Sequence, residues 1–192
     1  KDIKKHALMG IAVFATMVAM PGILFAHQPP FTDSFQIESC TGFSSTGRNP
    51  FFILEPGYQL TLEGKDKKEE IRLVITVLDE TKEIEGIETR VVEERETVDD
   101  ELLEVSKNYF AICDRDNSVF YFGEDVDIYE DGVIVSHEGV WQSGVNEARA
   151  GIIMPETILL GSRYFQEIAP DVALDSAEII SMDEVVETPA GV

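Results

Sequence analysis

Three groupings of side chains in this 192-residue chain have the types and spacing that chemistry requires. The first is acidic. Asp114, Asp116 and Ser118 stand at the alternate positions from which a calcium loop offers oxygen ligands, and Asp125 falls where its twelfth-position carboxylate would stand. The sixth position, normally Gly, is Val119, and Phe120–Phe122 reads as a strand. Oxygen ligands converge only where the chain curls, so a hairpin turn accounts for this spacing better. Glu124, Asp125, Asp127, Glu130 and Asp131 follow as a second acidic cluster. Asp114, Asp116, Asp125 and Asp127 are therefore weak candidate ligands for calcium, the one cofactor the residues bring into view.

The second grouping is the set of carboxylate pairs, such as Glu93-Glu94 and Glu124-Asp125, that acid–base hydrolysis would need. Adjacent residues of a strand point to opposite faces, so neither pair can flank one substrate bond. His137 lies between Ser136 and Glu138, but no G-x-S-x-G elbow and no phosphate-binding glycine loop accompanies it. The third grouping is aromatic. Phe110, Phe120, Phe122, Trp141 and Tyr164 could line a groove for a small apolar or amphipathic ligand. The same rings could equally fill a core.

Strands must position all of these. From Asn49 onward the chain runs in segments with period-2 alternation or β-branched content, broken by turn residues every 8–12 residues or so. Tyr58–Glu63 alternates Tyr58, Leu60, Leu62 with Gln59, Thr61, Glu63. Ile71–Leu78, Ile87–Arg95, Leu102–Cys113, Val119–Phe122, Val126–Tyr129 and Val133–His137 follow. They are separated by Asp79–Gly86, Glu96–Glu101, the turn-forming Cys113–Ser118, Gly123 and the hairpin signal Asp131-Gly132. Gln142–Gly161 has four glycines or prolines and no clean period, and reads as a long loop covering one end of the sheet. Ser162–Ile168 and Ser176–Met182 resume strand character. Asp183–Val192 reads as a strand and a Pro-Ala-Gly turn, as though a longer domain were truncated there. No helical period is sustained after the first segment. The fold expected is all-β: a single curved antiparallel meander, half-barrel or barrel-like, with a long covering loop.

A signal-peptide helix is expected to precede this domain, with a retained membrane anchor the alternative, since the apolar run approaches a bilayer-spanning length. Lys1, Lys4 and Lys5 form a basic start, Ala7–Phe25 an apolar stretch ending near Pro21-Gly22, and Ala26 a cleavage position. The domains are then 1–26 as signal peptide, 27–48 as an extended arm, and 49–192 as the β domain. Export places the protein in a periplasmic or extracellular setting with no stable membrane span after cleavage. Cleavage removes three lysines and one aspartate, taking the formal charge from −22 to −24. Such a charge excludes nucleic acid as a partner, since phosphates need a basic surface. Two cysteines, Cys40 and Cys113, remain, and an oxidising compartment permits a bridge between them as readily as two buried thiols. Two cysteines and the two mature histidines, His27 and His137, stand far apart in sequence and do not make a zinc signature.

Several stretches carry a resemblance. Asn49-Pro50-Phe51-Phe52 with Leu54, Pro56-Gly57-Tyr58, Leu62-Glu63-Gly64, Val77-Leu78-Asp79-Glu80-Thr81, Thr89-Arg90-Val91-Val92 and Tyr121-Phe122-Gly123-Glu124-Asp125 resemble a group of uncharacterised exported bacterial all-β proteins. Val186-Glu187-Thr188-Pro189-Ala190-Gly191 resembles the V-x-x-PAG turn of that group. The resemblance covers most of Asn49–Val192 and implies export and an antiparallel fold, with no activity to carry over. Together these observations favour a non-enzymatic exported binding or accessory protein with an apolar-ligand groove. A weakly cation-binding acidic surface protein is the alternative, and a carboxylate-based hydrolase the more distant one.

Overall fold

The computed structural model describes residues 30–191. The expected export signal, Lys1–Ala26, lies outside them. Among the described residues the chain is all-β, with a single short 3-10 turn at Ile37–Ser39. The strands are β1 (Phe43–Ser44), β2 (Gly47–Asn49), β3 (Phe52–Leu54), β4 (Gln59–Asp66), β5 (Glu69–Ile84), β6 (Ile87–Val98), β7 (Glu101–Cys113) and β8 (Val119–Glu130). They continue as β9 (Val133–Ser136), β10 (Trp141–Gln142), β11 (Arg149–Met154), β12 (Arg163–Phe165), β13 (Glu167–Ile168) and β14 (Ser176–Glu178). Strands β4 to β8 form an antiparallel meander that β11 and β13 extend beyond β8. The sheet curls into a half-barrel.

Bulges in three places do much to shape it. Val77 opposes Val92, yet the next pair is Thr81 with Arg90, so β5 carries two extra residues there. The Arg90 guanidinium donates to the carbonyls of Leu78, Glu80 and Ser45, occupying backbone acceptors that the ladder leaves free at this bend. This is why Asp79–Ile84, expected as part of a turn, continues as strand; the turn is only Glu85-Gly86. A second bulge in β8 lies between the pairs Tyr109–Gly123 and Phe110–Tyr121. Gly123 therefore does not end a strand, and Val119–Glu130 runs through as one bent element. A third, at Leu103 of β7, lies between the pairs Glu96–Glu104 and Thr97–Leu102.

Each face of the sheet carries its own core. We call front the face bearing Val77, Val92, Phe110, Ile112, Val119, Tyr121 and Trp141, covered at one end by Leu54 and Phe52 of the β2–β3 hairpin. The back face bears Val91, Tyr109, Ala111, Cys113, Phe120 and Phe122, covered by Phe35, Ile37, Cys40 and Phe43 of the N-terminal arm. Phe43 meets both Phe120 and Phe122 edge-on. A disulfide between Cys40 and Cys113, with Cα atoms 5.5 Å apart, ties the arm to the end of β7.

The segment expected as a covering loop, Gln142–Gly161, differs. Its Arg149–Met154 part is β11, which pairs with β8 through Gly151–Tyr121 and Ile152–Phe120. Gly151, inside this strand, interrupts the short apolar run. Gly151 is required by a close approach: a Cβ there would lie 2.5 Å from the Gln166 carbonyl oxygen and 2.7 Å from that of Phe165. Gly151→Ala must push the Phe165–Ile168 segment away, an overpacking cost of about 1–2 kcal/mol that chemical denaturation will read as a lower midpoint with an unchanged slope. At the other end, the strand expected within Asp183–Val192 is not formed; a bridge joins Thr188 and Gly191.

Candidate functional site

Side chains alternate along a strand, and opposed residues of neighbouring strands share a face. On the front face the register aligns Val77, Val92, Asn108, Glu124 and Trp141 in one row. The next row holds Leu60, Ile75, Glu94, Ser106 and Val126, and the one beyond it Leu62, Leu73, Glu96, Glu104 and Ile128. The bulge at Phe122–Gly123 switches the parity of β8. Tyr121 before it and Glu124 after it therefore both face front, three positions apart.

This parity switch assembles a polar ring. The Tyr121 hydroxyl donates to Asn108 Oδ1, and Asn108 Nδ2 donates to Ser106 Oγ at 3.2 Å. Glu124 is hydrogen-bonded to both Ser106 and Tyr121. A hydroxyl has one proton, and the Tyr121 proton goes to Asn108. All four contacts are kept when Glu124 is protonated: its O–H donates to the Tyr121 oxygen, and the Ser106 hydroxyl donates to its other oxygen. The ring then closes head to tail, each member polarising the next. Burial drives the same result. It pushes the Glu124 carboxyl up to about 7, with Glu104 and Glu94 adding repulsion, and outweighs the Tyr121 and Ser106 hydroxyls, which favour the carboxylate when they act as donors to it. Burial also raises Glu94, helped by Glu104, and raises Glu104, helped by Glu96. The Tyr121 phenol is pushed up by burial and by Glu124, so it stays a donor.

Beside the ring lies a groove of about 290 Å³ between the β2–β3 hairpin and the sheet. Pro50, Phe51, Phe52 and Ile53 form one wall; Tyr58, Leu60, Ile75, Val77 and Val92 form the other, with Glu94 at the polar end. Phe51, Leu60 and Leu62 are 61, 42 and 52% exposed, so apolar surface is open here. A second buried carboxyl, Glu167 at 1% exposure, accepts the Asp175 amide and is raised to about 7 by burial.

The structure divides the aromatics singled out by sequence. Phe110 and Trp141 lie in the front core, and Phe120 and Phe122 in the back core. Tyr164 is buried between β14 and the Thr32 bridge. The five do not line one groove. The candidate metal ligands also disperse. Asp116 pairs with Arg115 and accepts the Ser118 amide, and Asp114 lies against Gly42. Asp125 accepts from Tyr109 and Lys82, and Asp127 pairs with His137 at 2.8 Å. Among the described residues no cluster of three or more His, Cys, Asp or Glu is arranged to hold a metal ion.

No protein-family model, curated protein or solved structure matches this chain. The site therefore rests on its own geometry. Sequence could have flagged Leu60 and Leu62, which alternate with polar residues on a strand that stays exposed along its whole length. The polar ring had no such signal, because it depends on cross-strand register. Chemically, the front face joins an open apolar groove to a set of carboxyls, one of which holds a proton near neutrality. It can accept an apolar body while hydrogen-bonding a polar head. No helix among the described residues is long and apolar enough to cross a membrane.

Proposed function

We propose that this protein is a non-enzymatic binding protein whose front-face groove takes a small amphipathic ligand. The observation that carries the reading is the strip of exposed apolar side chains, Phe51, Leu60 and Leu62, beside a groove that ends on Glu94. Exposed apolar surface next to a shaped cavity is costly in water and is relieved by an apolar ligand. The groove is near the small end of ligand-binding cavities, which suits a short chain or a single ring system. It lies beside the front-core aromatics and draws on Phe52 and Tyr58.

The test is a titration with the neutral fluorophore N-phenyl-1-naphthylamine, whose emission rises in an apolar site. Saturable binding is the expected result. Leu60→Asn removes one apolar wall without touching a buried core, so affinity should fall by about tenfold, the equivalent of roughly 1.4 kcal/mol, while the melting temperature stays put. Binding that Leu60→Asn leaves unchanged would place the probe elsewhere and sink the proposal.

A further inference from the structure

The half-barrel sorts its charges by face. In β4 to β7 the basic residues Lys65, Arg72, Lys82, Arg95 and Lys107 stand at back-face positions, opposite Glu70, Thr97, Thr89, Val105 and Glu93 in turn. Several of them pair with acids there: Lys65 with Glu70, Arg72 with Glu63, Lys82 with Asp125 and Lys107 with Glu80. The exception is Arg90, which faces front, but its guanidinium is committed to three carbonyls. The front face thus carries Glu94, Glu96, Glu104 and Glu124 in adjoining rows, and no ion pair among the described residues involves any of them. All four are half-buried. Half-buried carboxyls without a cation are unusual, because partial desolvation without compensation is costly.

The groove ends on one of these carboxyls. Glu94 lines it directly, with Phe52, Leu60 and Ile75 around it. Glu94 opposes Ser106, and Glu104 is two residues from Ser106 on the same face. The Glu94 and Glu104 backbones are therefore about 7–8 Å apart on the diagonal, a gap that one ammonium group can bridge by donating to both.

We propose that the ligand is an amphipathic cation, with its apolar body in the groove between the β2–β3 hairpin and β4–β5 and its ammonium head between Glu94 and Glu104. This rests on the groove reading given above and adds the chemistry of the head group. Three classes of head are possible, and the surface discriminates among them. A carboxylate head would add a like charge to a face already crowded with them. A hydroxyl head would leave Glu94 and Glu104 without a countercharge. A cation supplies that countercharge and donates charge-assisted hydrogen bonds, about twice as strong as neutral ones. The overall charge of −22 further draws cations toward the protein from solution.

The experiment is displacement of the bound neutral fluorophore by octylammonium, octanol and octanoate at equal chain length, below micelle formation. Octylammonium should displace at a concentration about tenfold lower than octanol, since its charge-assisted hydrogen bonds are stronger than those of a hydroxyl. Octanoate should be the weakest of the three. Glu94→Gln/Glu104→Gln should erase most of the cation's advantage and leave octanol unchanged. Glu93→Gln/Glu184→Gln removes the same charge elsewhere and should keep the advantage. Equal potency of cation and alcohol on the native chain overturns the inference while leaving the groove intact. So does an advantage that survives in the Glu94/Glu104 variant, or one lost equally in the control, which would mean diffuse attraction only. If none of the three displaces the fluorophore, the groove reading falls, and this inference with it.

Discussion

Glu124→Gln should melt at a higher temperature than the native chain at pH 8 and at nearly the same temperature at pH 5. The Glu124 carboxyl is raised from 4.5 to about 7 in the folded protein. An acid raised on folding stabilises the fold while it is protonated. Its contribution is fully present below about pH 4.5 and is lost progressively as pH rises through about 7. A shift of that size corresponds to about 3 kcal/mol, and partial exposure of the group reduces this to about 2 kcal/mol. Glutamine reproduces the neutral acid. Its amide can donate to the Tyr121 oxygen and its carbonyl can accept from Ser106, so the ring survives at every pH. For a chain of this size about 2 kcal/mol is a rise of roughly 4–8 °C at pH 8. Glu167 titrates in the same direction and the same window, so the native chain as a whole should lose stability between pH 5 and pH 8. Calorimetry at the two pH values decides the matter. A variant that melts below the native chain at pH 8 would show that Glu124 is charged and well solvated, and would remove the proton from the ring.

The larger effect belongs to the disulfide. Cys40→Ser/Cys113→Ser should lower stability by about 4–5 kcal/mol in the chain-entropy model, because the bridge closes a loop with a sequence separation of 73 residues. The loss has a local counterpart. Phe35, Ile37 and Phe43 lie over Phe120, Phe122 and Tyr109, and between the Thr32–Tyr164 bridge and the disulfide the arm that carries them has the two-residue β1 and a single 3-10 turn to hold it. Without the disulfide the arm should undock before the sheet melts, exposing the back core. Hydrogen exchange would then show early deprotection at Ala111 and Phe120 relative to Val92. Exchange that stays uniform, with a change in stability under about 1 kcal/mol, would mean that packing alone seats the arm.

Much of the fold was legible because period-2 alternation survives in β4, β5, β6 and β7, and because Asp-Gly and Glu-Gly mark hairpin tips. What could not be read was the bending of those strands. Asp79–Ile84 contains five acidic or polar residues and looks like a turn, yet it pairs with Ile87–Arg90 once Arg90 satisfies the carbonyls at the bend. A one-residue bulge also reverses every later side chain on a strand. Without knowing that one lies at Phe122–Gly123, Tyr121 and Glu124 fall on opposite faces, and the polar ring disappears from view. The rule that adjacent acids on a strand point apart does hold for Glu93-Glu94 and Glu124-Asp125. Register then joins the front-facing member of each pair across three strands. The aromatics were the most conspicuous residues in the sequence and supplied least to the site. A sheet covered on both faces consumes its largest rings in two separate cores, leaving the medium-sized Leu60 and Ile75 to form the open wall, with Leu62 exposed beyond it.

The Cys40–Cys113 bond also makes a covalent ring of the chain between them, and that ring contains β1 to β7, including the hairpin tips between β4 and β5 and between β6 and β7. One of these tips, at Lys67-Lys68, is exposed and doubly basic. An extracellular trypsin-like protease cutting there would open the ring without parting it. The two pieces stay joined by the sulfur bridge and by the ladder between β4 and β5, so the nicked molecule keeps its sheet, its groove and its place in solution. For a protein read as exported, the bond guards connectivity as well as stability.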